Sequence, residues 1–350
     1  MNIKDTKELR SLGSRDVNRH LFDVTFHNTT MYLSFHHALC DGGGFKPFLE
    51  SLLYYYCSYR YKKDEKIPGI RLSEDALLEK EASDPFDHEY EIDPDYKSPE
   101  TEKEGYHLKE NDLPQDTMNY RYEVLIKDED FMRLVKENKS TPSIMACLLQ
   151  SNAIEELDPS NQSIICNVAC DMRKMLHYEN TFKNCVTSIP LVLRNDLKNL
   201  SLQEQSQDLR NQMKLLRNEQ RAKRSANMIY GLSNKIANIE SFKEKKEALS
   251  YFDTLAFDTY SISYIGKINL GYNEEHIESI HLFNQANEGL NIHMIDAAGY
   301  FSIDFKQSFP SDKYVQGFIK QLQKYNVPYT VSKRIDYTVP TDKIQQIARV

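Results

Sequence analysis

The stretch Phe35-His36-His37-Ala38-Leu39-Cys40-Asp41-Gly42 decides the interpretation of the whole chain. Residues 31–35, which precede the histidine pair, are rich in β-forming side chains and predict a strand. The glycines at 42–44 precede an apolar series that has helical spacing and consists of Phe45, Phe48, Leu49, Leu52, Leu53 and Tyr56. The two histidines therefore stand where a strand gives way to a glycine turn, a position from which a side chain can face a cleft.

The two histidines are expected to differ in their roles. Side chains of neighbouring strand residues point to opposite faces, so His36 and His37 do not share one metal ion if the strand continues through them. One imidazole is expected to face a substrate while the other packs. A neutral imidazole suits the removal of a proton from a hydroxyl or an amine. Asp41 is expected to hold the turn through an ion pair or through hydrogen bonds from backbone amides.

The HHxxxDG spacing resembles the signature of the coenzyme A-dependent acyltransferase superfamily, which includes chloramphenicol acetyltransferases, peptide-synthetase condensation domains and alcohol acetyltransferases. The resemblance implies an α+β fold, a chloramphenicol acetyltransferase-like two-lobe sandwich of mixed sheets flanked by helices. It also implies that His37 is the general base at a tunnel between the lobes. Asp41 would then be structural, His36 a structural support, and Gly42 the start of the motif turn.

Further positions acquire a role from the same resemblance. In condensation-type relatives an arginine after a strand pairs with the motif aspartate, and Arg173 is the matching candidate. The alternative is an arginine at a strand end that faces water. In chloramphenicol acetyltransferases a serine donates to the oxyanion, and Ser263, or Ser261 on the same stretch, would match it. Serine is also common in ordinary alternating strands, so this assignment stays open.

The composition points to a globular protein with reduced cysteines. The chain has 350 residues, is 40% hydrophobic and carries a net charge of −8, so it lacks the basic excess that a nucleic-acid partner would require. It shows no apolar run of membrane-spanning length, and because residues 1–15 are polar we expect no signal peptide and a cytoplasmic protein. The six cysteines lack the spacing of zinc sites or disulfide frameworks. A nucleophilic Cys40 is a disfavoured alternative, because the resemblance places a variable residue there.

Composition divides the chain into four predicted parts. Residues 1–72 would be a remnant of the N-terminal lobe that carries the motif, because only 35 residues precede His36 and the resembled family has a longer segment there. Residues 73–118 would be an acidic connector, since positions 74–112 hold fifteen Asp and Glu against four Lys. Residues 119–330 would form the C-terminal acyltransferase-like lobe, and residues 331–350 a tail.

The pattern predicts most elements of the second lobe. Strands are expected at residues 120–126, 163–169, 184–193, 259–266, 277–283, 290–295 and 300–305. Helices are expected at 128–137, from 142 to 157, over one long stretch from 202 to 227, over a second stretch to about 248, and at 311–325. The long charged helix is interpreted as an amphipathic cover for a sheet.

The function implied by the resemblance is transfer of an acyl group from acyl-CoA, such as acetyl-CoA, to an alcohol or amine acceptor. His37 would act as base, with no covalent intermediate, no metal and no permanently bound cofactor. The expected partner is a small-molecule acceptor. One alternative is a condensation-like module that uses the thioester of an acyl carrier protein. The other is a non-catalytic binding protein of the same fold.

Overall fold

The computed structural model describes residues 4–6, 8–63, 65–102, 104–112, 118–253, 258–284 and 289–338. The helices are α1 (Gly42–Tyr61), α2 (Asp128–Glu137), α3 (Pro142–Leu157), α4 (Arg173–Leu176), α5 (Leu202–Leu216), α6 (Glu219–Ala237), α7 (Phe242–Asp253) and α8 (Lys313–Lys324). The strands are β1 (Lys4–Asp5), β2 (Phe22–His27), β3 (Thr30–Phe35), β4 (Met118–Lys127), β5 (Ile164–Asp171), β6 (Val186–Leu193), β7 (Tyr260–Lys267), β8 (Leu290–Ala297), β9 (Tyr300–Gln307), β10 (Thr330–Val331) and β11 (Ile335–Thr338).

The larger sheet is mixed and has eight strands. Its order is β10-β4-β9-β8-β7-β5-β6, and β11 also pairs with β4. The pairs β5–β7 and β7–β8 are parallel, and the other pairs are antiparallel. One face of this sheet is apolar and packs against α2, α3, α5 and α8, with buried contacts such as Ile126, Phe131, Phe305 and Phe318. This layer of sheet and helices is the main hydrophobic core.

The smaller sheet carries the histidine motif and is joined to the larger one by α1. Its order is β1-β2-β3, and β2 and β3 form an antiparallel hairpin. The ring of Phe45 on α1 stacks on Phe35 with centroids 4.0 Å apart. Further along α1, Leu49 and Leu53 pack in a cluster with Ile295 of β8. Helix α1 therefore fixes the hairpin against the ends of β7 and β8.

Two sequence-based predictions of elements were wrong. The predicted long helix at residues 202–227 is two helices, because the side chain of Asn218 caps a new helix by accepting from the Arg221 amide at 2.9 Å. The predicted strand at 277–283 is not a strand; the Asp304 carboxylate accepts from the backbone N–H of Leu282 at 2.7 Å. The start of the predicted tail includes β11, and residues 339–350 lie outside the described part of the chain.

The acidic connector is irregular, as its composition predicts, but it also packs. Leu108 and Tyr106 belong to the main core, and Tyr90 exchanges two hydrogen bonds with Asn227 of α6. Glu81 accepts a hydrogen bond through its backbone oxygen from Phe182 at 2.9 Å. The segment is thus attached to the residues that follow α4. Across the described ranges, no helix is both long enough and apolar enough to cross a membrane.

We expect Leu53→Ala to lower the free energy of unfolding by about 2–5 kcal/mol, because the leucine is buried between α1 and the larger sheet. Leu77→Ala is the matched control, since Leu77 is 88% exposed and its loss should change stability by less than about 0.5 kcal/mol. Chemical denaturation measures both. Equal, small effects of the two substitutions would contradict the packing of α1 described above.

Candidate functional site

The motif turn begins where β3 ends at Phe35. The backbone N–H of His36 donates to Leu21 at 2.8 Å, and its ring Nδ1 accepts from the amide of Ala38 at 3.1 Å. Leu39 closes the turn by donating to the carbonyl of His36 at 2.9 Å. The side chain of His36 is exposed, so the expectation that it packs was wrong. It supports the turn through a local hydrogen bond, because the strand ends before either histidine.

His37 lies on the same turn and is also exposed. Its backbone oxygen accepts from the Asn184 side chain at 2.7 Å, which ties the turn to the segment before β6. Within the described residues, no protein group hydrogen-bonds to the His37 ring. The described residues leave His37 exposed to solvent.

Asp41 caps the helix that follows the turn. It is 1% exposed, and its Oδ1 accepts from the amide of Gly44 at 2.7 Å. Its Oδ2 accepts from the amide of Cys185 at 2.7 Å. Arg173 supplies two more hydrogen bonds, from Nη2 to Oδ1 at 2.7 Å and from Nη1 to Oδ2 at 3.2 Å. The carboxylate therefore joins α1, α4 and the start of the β6 segment.

Arg173 is 6% exposed and uses every one of its donors. Besides the two bonds to Asp41, Nε donates to the carbonyl of Thr181 at 2.9 Å and Nη2 to that of Lys183 at 2.8 Å. The last donor, on Nη1, reaches Asp171 at 3.2 Å. Burial alone would lower the pKa of Arg173, but the hydrogen bond and charge of Asp41 outweigh burial and raise it. The structure thus brings Arg173 to the motif aspartate rather than to solvent.

Glycine is required at the three motif positions because neighbouring atoms lie too close for a side chain. A Cβ atom on Gly44 would lie 2.0 Å from the carbonyl oxygen of Phe182, and one on Gly43 would lie 2.8 Å from Nη1 of Arg173. A Cβ on Gly42 would lie 2.5 Å from the side chain of Ile265 on β7. Gly42 is therefore the residue at which the motif turn touches the larger sheet.

Cys40 lies beside this network but is not arranged as a nucleophile. Burial, followed by the nearby charge of Asp41, raises the pKa of its thiol to about 11. A thiol with that pKa is protonated at neutral pH and reacts poorly. All six cysteines are buried free thiols.

The second face of the larger sheet, opposite the helices, is polar where it faces the motif. The hydroxyl of Ser261 donates to the side-chain oxygen of Asn291 at 2.6 Å, so Ser261 already has a partner. Ser263, two residues along β7, is half-buried, and no described group hydrogen-bonds to its hydroxyl. Ser263 pairs in register with His293 of β8, so the two side chains share this face.

Sequence reasoning missed the polar residues of β8, β9 and β4 on this face. His293 pairs in register with Asp304, and Asp304 with Glu123. Asp304 is fully buried and contacts the ring of His281 at 2.8 Å. Burial lowers the pKa of His281, but the hydrogen bond and charge of Asp304 outweigh it and raise that pKa. The only sequence signal was the spacing of polar residues two positions apart, at Asn291 and His293 of β8 and at Ser302, Asp304 and Lys306 of β9.

The described part of the chain contains no group of three or more His, Cys, Asp or Glu side chains arranged to hold a metal ion. His36 and His37 follow each other on a turn, and the ring of His36 is occupied by the Ala38 amide.

Comparison with solved structures places this arrangement in a known fold. The chain matches the epimerization domain from the third module of tyrocidine synthetase B, with a TM-score of 0.51 and 12% identity over 88% of this chain and 71% of that one. It matches TRI101 of F. sporotrichioides, solved with coenzyme A and T-2, with a TM-score of 0.53 and 14% identity. The match covers 87% of this chain and 68% of that one. It matches polyketide synthase associated protein 5 from Mycobacterium tuberculosis with a TM-score of 0.53 and 11% identity. The match covers 91% of this chain and 79% of that one.

The chain has the fold that these three solved structures share. The fold class expected from the HHxxxDG resemblance, a mixed α+β sandwich flanked by helices, is confirmed. At 11–14% identity these likenesses concern the fold. No family model and no curated protein matches the chain.

We expect Asp41→Ala to destabilise the protein by about 3–5 kcal/mol, because it leaves the buried Arg173 guanidinium without its carboxylate. Asp171→Ala removes the half-exposed second carboxylate of the same arginine and should cost about 1 kcal/mol or less. Thermal and chemical denaturation compare the two variants. Equal losses would show that the buried pair has no special part in stability.

We expect Gly44→Ala to destabilise the protein by roughly 1–3 kcal/mol, since the new methyl group would meet the backbone of Phe182. Gly231→Ala is the control because nothing lies within 4 Å of a Cβ there and the residue is inside α6. Alanine favours a helix over glycine, so this control should gain about 0.5–1 kcal/mol. Melting temperatures that move in the same direction for both variants would contradict the close approach.

Proposed function

We propose that this protein transfers an acyl group from acyl-CoA to the hydroxyl or amine of a small-molecule acceptor, with His37 as general base. The observation that carries the proposal is the exposed imidazole of His37 on a turn held rigidly by the buried Asp41–Arg173 pair. A base that removes a proton must be reachable by the acceptor and held in one place. The fold supports the same reaction class, since TRI101 was solved with coenzyme A.

The proposed reaction needs one base and one oxyanion donor. His37 removes the proton of the acceptor while its oxygen or nitrogen attacks the thioester carbonyl. Negative charge then collects on the carbonyl oxygen, and Ser263 is the proposed hydrogen-bond donor to it. When the carbon–sulfur bond breaks, the thiolate of coenzyme A takes the proton held by His37. The balanced products are the acylated acceptor and free thiol, and no covalent enzyme intermediate is involved.

Ser263 is preferred to Ser261 as the oxyanion donor. Both are on β7, but the hydroxyl of Ser261 is already committed to Asn291. Ser263 lies beside His293 on the polar face and has no partner among the described residues. A donor that is already placed costs no reorganisation when charge develops.

We expect His37→Ala to lower the rate of acyl transfer about 10²- to 10⁴-fold, which is the usual contribution of a general base. The assay measures thiol release from acetyl-CoA in the presence of a panel of alcohols and amines. His276→Ala is the control, because His276 stacks on Tyr61, outside the motif turn. A His37→Ala protein with unchanged turnover would overturn the assignment of the base.

A carrier-protein thioester is the second candidate donor, and the likeness to an epimerization domain of a peptide synthetase favours including it. Incubation with an acylated carrier protein, followed by mass spectrometry of the carrier, distinguishes it from coenzyme A. Loss of acyl mass from the carrier, without thiol release from acetyl-CoA, would favour the carrier. If neither thioester is consumed at a rate above that of the His37→Ala variant, the chain is a non-catalytic binding protein of this fold.

A further inference from the structure

The polar face of the larger sheet, formed here by Ser261 and Ser263 of β7, Asn291 and His293 of β8, and Asp304 of β9, is partly withdrawn from solvent. Asp304 is fully buried, and His293 is 9% exposed. Buried polar groups normally have hydrogen-bond partners, because an unpaired one costs about 1–3 kcal/mol. A buried polar group on this face that has no hydrogen-bond partner in the protein is therefore a candidate contact for a bound molecule.

Most of these groups find partners on the protein. Asp304 binds the ring of His281 and the amide of Leu282. Ser261 binds Asn291. His293 is different, since its Nε2 is buried and no described group hydrogen-bonds to it.

The position of His293 relates it to the proposed base. It stands in register with Ser263, which is the proposed oxyanion donor. Burial, and then the charges of Lys306 and His37, lower the pKa of His293 to about 4, so the imidazole is neutral at physiological pH. Ser263 is on β7, the strand whose Ile265 meets the motif turn at Gly42, so His293 lies on the part of the sheet beside the motif.

A neutral imidazole of this kind is suited to holding a ligand rather than to removing its proton. One ring nitrogen donates a hydrogen bond and the other accepts one. A base that binds its proton only at acidic pH is a weak base at neutral pH, so His293 does not compete with His37 for that role. Its hydrogen-bonding capacity remains available to a polar group of a bound molecule.

We propose that His293 binds the acceptor by hydrogen-bonding a polar group other than the one that reacts, so that the accepted molecules carry at least two hydroxyl, amine or amide groups. This inference rests on the proposed acyl-transfer function. It assigns the acceptor to the class of polyols, amino alcohols and hydroxy amides. A straight-chain alcohol, which has one polar group, cannot engage both His37 and His293.

The test compares His293→Phe, which keeps a ring without nitrogen, with His293→Asn, which restores a donor and an acceptor. His276→Phe is the matched control outside the site. Thiol release from acetyl-CoA is followed with two acceptor classes, namely polyols with amino alcohols and straight-chain alcohols from butanol to octanol. Circular dichroism and melting curves verify that each variant is folded.

We expect His293→Phe to raise the KM for polar acceptors about tenfold, the effect of one lost hydrogen bond to a buried site, while the KM for acetyl-CoA stays unchanged. His293→Asn should recover part of the loss, and straight-chain alcohols should respond to neither change. An equal effect on both acceptor classes, or an effect on acetyl-CoA alone, would overturn the inference.

Direct binding separates this inference from the proposed function. Isothermal titration of the best polar acceptor into the His37→Ala protein measures affinity without turnover, and adding His293→Phe should weaken it about tenfold. Suppose that the protein transfers no acyl group but binds polar acceptors in a way that depends on His293. That result would overturn the proposed function and support the contact with His293. Transfer that requires His37, with acceptor affinity unaffected by His293→Phe, would overturn the inference alone.

Discussion

The buried ion pair between Asp41 and Arg173 is the interaction on which the rest of the site depends. Removing two charges from water is costly, and the cost is offset only when geometry and additional hydrogen bonds are good. Here the requirement is met in full, since Asp41 accepts four hydrogen bonds and Arg173 donates five. A pair this completely satisfied has one arrangement, because any shift breaks several bonds together. It therefore fixes the start of α1 against the segment that leads into β6.

This constraint explains the three glycines that follow the aspartate. For the carboxylate to reach Arg173, the first turn of α1 must approach the carbonyl of Phe182 to a distance that excludes a side chain on Gly44. Gly42 must likewise approach Ile265, which belongs to β7. The same approach brings the histidine turn next to β7, the strand that carries Ser263. The contact between Asp41 and Arg173 therefore both fixes the start of α1 and brings the histidine turn close to β7.

The sequence predicts what is local and misses what depends on strand order. The strand at residues 31–35, the motif turn and α1 follow from residue type and spacing within about forty residues, and the structure contains each of them. The contact of Arg173 with Asp41 spans 132 positions and entered only through a family resemblance. His293 could not be found, because alternation in β8 reveals a polar face but not that β8 pairs with β7 in parallel. The break at Asn218 was missed because a capping residue was treated as one more polar position in a periodic helix.

The polar face combines charges that are paired within the protein with buried groups that have no protein partner. Toward β4, Arg121 pairs with Glu123 and His281 pairs with Asp304, although Nε of Arg121 is buried without a partner among the described residues. Toward β7, Nε2 of His293 is buried without a partner, and no described group hydrogen-bonds to the half-buried hydroxyl of Ser263. A folded chain accepts unpaired buried groups only where something compensates, and functional sites are where such groups are usually found. The β7 side of this face lies beside the motif turn, where Gly42 meets Ile265, and the ring of His37 has no hydrogen-bond partner in the described ranges. The same small region thus holds an exposed base, a half-buried hydroxyl and a neutral buried imidazole, which are complementary to a molecule that brings more than one polar group.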